Sequence, residues 1–331
     1  MKQSDVDRIW YGNQPPPFWM RCLVPVYRLL ASAARLPYRM GWRSPLRLPL
    51  PVIVVGNLTA GGTGKTPLVL ALIDALRLRG LRAGVVSRGF GGSVRTPRLL
   101  DDSPDPSEVG DEPSLIRRRA RVPVAIGRKR GEAARLLLDA SIDVVIADDG
   151  LQNAGLARDI EICVIDGERR FGNGRLLPAG PLRERPERLR SVDFVVCNGG
   201  RAREGEIPMS LSMGSAISVG SASQLRDLSD FAGRTVHAVA GIGNPGRFFA
   251  ALRSQGLDLV EHPFDDHHAY VRADLDFVDA LPVLMTEKDA VKCADMADLP
   301  LWYIPVEAQL PPAFLDAVAD HVSRLHGEKG Q

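Results

Sequence analysis

The sequence predicts an α/β fold. A mostly parallel sheet with helices on both faces is built around a phosphate-binding loop, as in P-loop NTPases. A smaller C-terminal α/β domain follows it and an amphipathic helix precedes it. Three observations predict this. Short apolar runs alternate with helical patterns from residue 50 onward, the spacing of βαβ units. The residues Thr59-Ala60-Gly61-Gly62-Thr63-Gly64-Lys65-Thr66 lie between an apolar run, Val52–Val55, and an apolar-periodic stretch, Leu68–Leu78. That is the strand–loop–helix order a phosphate-binding loop requires. The first fifty residues carry eight basic side chains (Lys2, Arg8, Arg21, Arg28, Arg35, Arg39, Arg43, Arg47) against Asp5 and Asp7, whereas the rest of the 331-residue chain holds 34 basic against 38 acidic. A basic arm thus precedes a mildly acidic body.

The arm contains Phe18–Leu36, FWMRCLVPVYRLLASAARL. Arg21, Arg28 and Arg35 recur every seven residues, so a helix stacks them on one side, with Leu23, Val26, Leu30 and Ala34 mostly on other faces. A bilayer-crossing helix needs about 20 largely apolar residues. Arg28 at its middle would cost roughly 2.5–3.5 kcal/mol on insertion scales, which disfavours a spanning helix. A signal peptide does not fit either: the apolar part begins late, arginine interrupts it and a cleavage site is lacking. Two readings stay open, a helix lying in the membrane interface with arginines at anionic headgroups and an amphipathic helix packed on the body.

Beyond the arm, strands are expected at Val52–Val55, Ala83–Ser87, Pro123–Ile126, Asp143–Ala147, Ile160–Ile165 and Asp193–Cys197, with helices such as Leu68–Arg79 and Gly131–Ala140 between them. Thr96–Gly110, rich in Pro, Asp and Ser, reads as an open loop, and Phe171–Glu187 is rich in Gly, Pro and Arg. Composition shifts around Gly199–Gly214, and a domain boundary is expected there: 1–49 the arm, 50–210 the core, 211–331 the smaller domain closing over the site. The last part has strand candidates at Val236–Ala240, Leu257–Glu261, Val283–Thr286 and Trp302–Ile304, and a final helix at Pro312–His326. Cys22, Cys163, Cys197 and Cys293 lack metal-ligand or redox spacing, which reads as a reducing compartment without a disulfide framework.

The chemistry centres on the glycine-rich loop. Its backbone N–H groups turn inward around phosphate oxygens, and the following helix adds its positive dipole end. Lys65 reaches the β- and γ-phosphates, and the Thr66 hydroxyl coordinates Mg²⁺. A nucleoside triphosphate is the ligand this predicts. Asp143–Ala147 ends in Asp148-Asp149-Gly150, and an apolar strand ending in aspartate beside such a loop is the usual second Mg²⁺ site. Asp166, ending Ile162–Ile165, competes for that role, and a solvated turn is the plain alternative. Ser87-Arg88-Gly89-Phe90-Gly91-Gly92 follows another strand; Arg88 suits a phosphate and Phe90 a ring, although a tight turn explains the pattern equally well. Asp111 and Glu112 stand before a helical pattern, where acids serve as caps, and local pattern favours that role. His267-His268, after Asp265-Asp266, offers a proton acceptor near neutral pH, or solvated surface. Arg183 and Arg128–Arg130 are cations near strand ends, able to stabilise charge on a transferring phosphoryl group.

Together these pieces resemble one family, the tetraacyldisaccharide 4′-kinases of lipid A biosynthesis. The shared strings are VGNLTAGGTGKTP, SRGFGG, VGDEP, ADDGLQ, LLPAGPLRE, AGIGNPGRF, FDDHHAY and TEKDAVK, in order over most of the chain. The family keeps a non-glycine at the start of this loop, as Thr59 does here, and Phe90 stands where many members have Tyr. Ala60 replaces the signature lysine of partitioning-type ATPases. The resemblance implies transfer of the ATP γ-phosphoryl group to the 4′-hydroxyl of a tetraacyl disaccharide 1-phosphate, at the cytosolic face of a bacterial inner membrane. It implies an acid/base pair in Asp111 and His267, with a one-residue ambiguity toward His268. Lys65 and Thr66 hold phosphates and Mg²⁺, Glu112 and Asp149 complete the ion's shell with Asp148 beside it, and Gln152, Arg130 and Arg183 are phosphate or substrate contacts. It implies a lipid-linked substrate and a membrane surface as partners, with neither nucleic acid nor an obligate protein partner. Two other classes compete. A cofactor- or metal-insertion GTPase or ATPase would carry Asn-Lys-x-Asp, to which Glu287-Lys288-Asp289 is the nearest string and does not match. A nucleotide-gated membrane-binding protein would transfer no phosphate to lipid.

Overall fold

In the computed structural model, residues 3–221, 224–279 and 281–329 are described. Helices α1 (Gln3–Trp10) and α2 (Phe18–Arg39) come first. Next come β1 (Val52–Gly56), α3 (Lys65–Leu78), β2 (Ala83–Ser87), β3 (Arg98–Leu99), α4 (Pro106–Val109), α5 (Asp111–Ala120), β4 (Val124–Ile126), α6 (Arg130–Arg135), β5 (Val144–Asp148), β6 (Ile160–Asp166), β7 (Phe194–Asn198) and β8 (Glu206–Met213). A second run holds β9 (Ala216–Ser218), β10 (Leu225–Arg226), β11 (Thr235–Ala240), α7 (Pro245–Ser254), β12 (Asp258–Pro263), β13 (Val283–Thr286), α8 (Glu287–Ala290) and β14 (Leu301–Ile304). Strand β15 (Val306–Gln309) and helix α9 (Pro312–Lys329) close it.

The strands form two sheets. The larger has nine strands in the order β15-β8-β7-β6-β1-β5-β2-β4-β3, and the smaller six in the order β10-β9-β14-β13-β11-β12. The centre of each is parallel, and antiparallel pairs occur only toward the edges. Parallel strands covered on both faces must be apolar throughout rather than alternating, and β1, β2, β5 and β6 are fully buried along their lengths. Ile53 and Val55 face a core with α3, α5 and α9; Val52 and Val54 face the other side, with Ala133, Ala134 and Leu137. In the smaller sheet Val236, Ala238 and Ala240 pack on Phe248, Phe249 and Leu252 of α7.

The expected strands all form. Elsewhere the structure adds elements. Residues 206–213, read as a boundary region, form β8 beside β7; Pro208 and half-exposed alternation weaken its strand pattern. β15 pairs with β8, and Phe314, Val318 and Val322 of α9 join the first core, so the chain's end returns to the larger sheet. The expected helix at 131–140 breaks into α6 and a 3₁₀ turn at Leu138–Ala140. The expected open loop at 96–110 contains β3 and α4, the latter capped by Asp105, whose side chain accepts from the Ser107 N–H at 2.8 Å.

Helix α2 touches the body through one stripe only. Met20 is buried and Val24, Tyr27, Ala31, Arg35 and Tyr38 are half-buried, a spacing of three and four that lines one helix face, with half-buried Pro37 beside its end. Met20 clusters with Ile9 and Ala179, the Tyr27 hydroxyl donates to the Arg183 carbonyl at 3.1 Å, and Arg35 pairs with Glu184 at 2.6 Å. The remainder is open: Phe18 is 78%, Leu29 70% and Leu30 65% exposed. Among the described residues no helix is long and apolar enough to cross a membrane.

Candidate active site

The loop between β1 and α3 is held open from behind. Gly61 and Gly64 take positive φ, 103° and 90°, which a side chain would resist. At Gly64 a Cβ would also lie 2.2 Å from Asn198 Nδ2, the group that donates to the Thr63 carbonyl at 3.0 Å. Asn57 Nδ2 donates to the Thr59 carbonyl at 2.8 Å, and Lys65 Nζ donates to Asn57 Oδ1 at 3.2 Å. Ala60 N–H donates to the Pro181 carbonyl at 2.7 Å, so the LLPAGPLRE segment braces the loop's entry. Thr66 lies half-buried in the first turn of α3, where backbone donors and the helix dipole favour an anion.

The parallel register sets the acids. Val55 pairs with Asp148, so β5 ends beside the loop. Asp148 is 1% exposed, and its Oδ1 has no hydrogen-bond partner among the described residues. Burial, with the nearby Glu112 carboxylate, pushes its carboxyl up to about 7. Asp149 adopts φ 49° and is spoken for: Arg183 Nη1 lies 2.9 Å from both of its oxygens and Lys65 Nζ 3.5 Å from one. Burial opposes its charge, yet Lys65 and Arg183 hold it down at about 2. Asp166, the competing acid, caps its own turn by accepting the Glu168 and Arg169 N–H groups at 3.0 and 2.9 Å. Among the described residues no three acidic, histidine or cysteine side chains form a metal cluster. A Mg²⁺ ion carried by a nucleotide needs only one or two carboxylates besides phosphate and water, and the unpartnered Asp148 oxygen beside Thr66's helix fits that demand.

Across the cleft, Asp111 opens α5 and is 6% exposed. Its Oδ2 lies 2.9 Å from His267 Nδ1. Burial opposes ionisation, but the His267 hydrogen bond and the Lys292 and Lys288 ammoniums hold this carboxyl below its ordinary range. His267 sits at φ 63°, a strained position for a non-glycine, and its ring lies 5.1 Å from that of Phe90, which is 57% exposed. His268 points elsewhere, to Asp274 at 3.0 Å. Arg88 is exposed at the same edge. Arg130 is 3% exposed and donates to the Gly127 carbonyl at 2.8 Å; burial lowers its guanidinium to about 10. Gln152 Nε2 bridges the Asn57 carbonyl at 3.0 Å and Glu184 Oε1 at 2.9 Å. Arg130 and Gln152 are thus tied into the walls, behind the acids and the loop.

The family model described as tetraacyldisaccharide-1-P 4′-kinase matches residues 17–323. The chain belongs to that family. Among its relatives are the tetraacyldisaccharide 4′-kinase of Stenotrophomonas maltophilia, 47% identical with 98% of each chain covered. That of Xanthomonas euvesicatoria is 48% identical, with 97% of this chain and 96% of that one covered. The solved structure of the "apo" form of LpxK from Aquifex aeolicus in complex with ATP superposes with a TM-score of 0.74 at 26% identity, covering 92% of this chain and 99% of that one. Membership sets aside the cofactor- or metal-insertion alternative.

Two strings shared with this kinase family carry contacts that the sequence reading left without a role. In AGIGNPGRF, a Cβ on Gly243 would lie 2.8 Å from the Gly62 backbone nitrogen, and Arg247 donates to Asn198 Oδ1 at 3.0 Å. The smaller sheet thereby presses on the phosphate loop. In TEKDAVK, Glu287 pairs with Arg119 at 2.5 Å, and Lys288 lies 3.2 Å from both Glu112 and Asp266. Burial works against Lys288's charge, but Glu112 and Asp266 raise it well above the ordinary lysine range. The signal was glycine density in the first string and charge density in the second, each after a predicted strand. A groove of about 450 Å³ between α3, β15 and α9 is lined by none of these acids.

Proposed function

We propose that this kinase transfers the γ-phosphoryl group of ATP to the 4′-hydroxyl of a tetraacyldisaccharide 1-phosphate. The observation that carries this is the chain of neighbours from the Lys65 loop to the Asp111–His267 pair: Gly243 lies against Gly62 and Asp266, and Lys288 lies between Asp266 and Glu112, the residue after Asp111. Phosphoryl transfer needs positioning and charge neutralisation more than covalent help. In this reading the loop N–H groups and Lys65 cradle the phosphates. Thr66, Asp148 and Glu112 are the groups that would hold Mg²⁺, and Asp149 keeps Lys65 and Arg183 aimed. When bound, the ion would supply positive charge to the transferring phosphoryl group. Asp111 accepts the proton of the attacking hydroxyl, and His267 orients that carboxylate and shares its charge. Phe90 offers a face to the sugar, and Arg88 a charge to an anionic group.

The acceptor is an amphiphile, and α2 supplies the meeting place. Its stripe from Met20 to Tyr38 docks on the body while Phe18, Trp19, Leu29 and Leu30 stay open beside Arg21 and Arg28. Apolar side chains buried at the acyl boundary, with arginines at anionic headgroups, place such a helix in the plane of a bilayer. We assign it to the cytoplasmic face of the inner membrane. The test is purified protein with Mg-ATP and radiolabelled disaccharide acceptor, with the product's phosphate position determined. Label at the 4′ position supports the reading; ATP hydrolysis without lipid labelling, or strict preference for GTP, overturns it.

A further inference from the structure

Asp111 has a second neighbour. Lys292 Nζ lies 3.8 Å from Asp111 Oδ2, the same oxygen that meets His267. The lysine side chain is only 9% exposed, and its ammonium is ion-paired with Asp289 at 2.9 Å. Asp289 is fully buried and itself pinned, its Oδ2 accepting the Gly241 N–H at 3.0 Å and the Thr286 hydroxyl at 2.6 Å. The Tyr270 ring closes the site, its centroid 4.8 Å from the ammonium. A buried lysine is retained when it is paired and packed, and here the pairing forms a line: the β11 and β13 ends of the smaller sheet, Asp289, Lys292, then Asp111 on the larger sheet's side.

We propose that Lys292 is a positioning residue for the transfer reaction. Its ammonium, fixed by Asp289, pulls Asp111 Oδ2 inward and leaves Oδ1 turned to the acceptor hydroxyl. The inference rests on the reading of Asp111 as proton acceptor. A carboxylate held at one oxygen by a hydrogen bond and by a buried ammonium 3.8 Å away has its rotamer set before substrate arrives, whereas one held by His267 alone can swing about that bond. Misplacement of a reacting group by about 1 Å costs on the order of a hundredfold in rate.

The experiment uses the full chain in detergent micelles with Mg-ATP and the disaccharide acceptor. Lys292→Met is expected to lower kcat by about ten- to a hundredfold while leaving KM for ATP and calorimetric nucleotide affinity within about twofold. Lys292→Arg, which keeps the charge, is expected to recover most of kcat. Because Lys292→Met strands a buried carboxylate, the pair Lys292→Met/Asp289→Asn is measured beside it. That variant restores a neutral interior, and its melting temperature should return toward the parent's while kcat stays low. A folded double variant with parental kcat overturns the proposal, as does equal loss in the Arg and Met variants. Asp111→Ala is run in parallel. If it turns over normally, the reading of Asp111 fails; if it is inactive while Lys292→Met is fully active, only the role of Lys292 fails.

Discussion

Asp148→Asn should make the ligand-free protein more stable and the enzyme worse. Asp148 is 1% exposed, its Oδ1 takes no hydrogen bond among the described residues, and its carboxyl is pushed from 3.8 to about 7 by burial and by Glu112. At 1.36 kcal/mol per pH unit, that displacement sets a ceiling of about 4 kcal/mol on the cost of keeping this group ionised in the fold. Asparagine removes the charge but brings an amide that also wants partners, so about 2 kcal/mol is the expected gain. For a chain of this length, with unfolding entropy of about 2.1 cal/mol/K per residue, that is a rise of about 3 °C in Tm.

The sign follows from proton linkage. Between 3.8 and about 7 the folded protein holds this proton more tightly than the unfolded chain does. Asp148 therefore costs stability increasingly as pH rises through that window, and costs nothing below it. Melting curves without nucleotide and with a chelator should show the asparagine advantage in full at pH 8, shrinking toward pH 4, while phosphoryl transfer by the variant collapses. An advantage that is absent at pH 8, or that stays constant across the window, would refute the argument that an uncompensated buried charge waits here for a cation.

Three further outcomes are expected. Asp111→Ala should abolish transfer to the lipid acceptor while ATP affinity by calorimetry stays within about threefold, since the nearest described partners of Asp111 are His267 and the lysines rather than the phosphate loop. Gly64→Ala should weaken ATP binding at least about tenfold, because φ 90° and a Cβ 2.2 Å from Asn198 force the loop to move at a cost of roughly 1–3 kcal/mol; unchanged affinity would mean the loop holds no phosphate. Leu29→Ser/Leu30→Ser should cut binding to anionic vesicles at least about tenfold without lowering Tm, as both side chains are already in water at 70% and 65% exposure. A fall in Tm instead would mean that this face packs on protein.

Much of this was legible in the chain because parallel, doubly covered strands write themselves as apolar runs. Val52–Val55 and Ile160–Ile165 could hardly be anything else. β8 was not legible: EIPMSLSM is half-exposed and carries Pro208. Nor was the return of β15 and α9 to the larger sheet, since nothing local in VEAQ says which sheet edge it joins. The site divides the same way. A phosphate loop is a contiguous string, so it announces itself. The pairing of Asp111 with His267 spans 156 positions and came only from family resemblance. Lys288 and Lys292 reach Glu112 and Asp111 on α5, partners too far away in the chain for any window of sequence to contain. Asp111 reads locally as a helix cap, and it does open α5; only the cleft reveals its second neighbour.

Of the arm's two open readings, packing on the body holds for one face of α2, and the interfacial reading is the proposal for the other. A monomer rarely leaves a contiguous apolar patch in water, and α2 leaves Phe18, Trp19, Leu29 and Leu30 there. Yet its other face is not idle packing. The heptad arginines part company: Arg21 and Arg28 are exposed, whereas Arg35 pairs with Glu184. Glu184 holds Gln152, Gln152 holds the Asn57 carbonyl, and Asn57 holds both Lys65 and the Thr59 carbonyl. Tyr27 grips the neighbouring Arg183, which clamps Asp149. Polar contacts of this kind fix a helix's rotation as apolar ones cannot, because each demands one donor facing one acceptor. With the rotation fixed, the apolar face points one way relative to Lys65 and Asp149. A helix that lies in the interface through that face would then hold the phosphate site at a set height and tilt over the bilayer, where an acceptor hydroxyl at headgroup level can reach it.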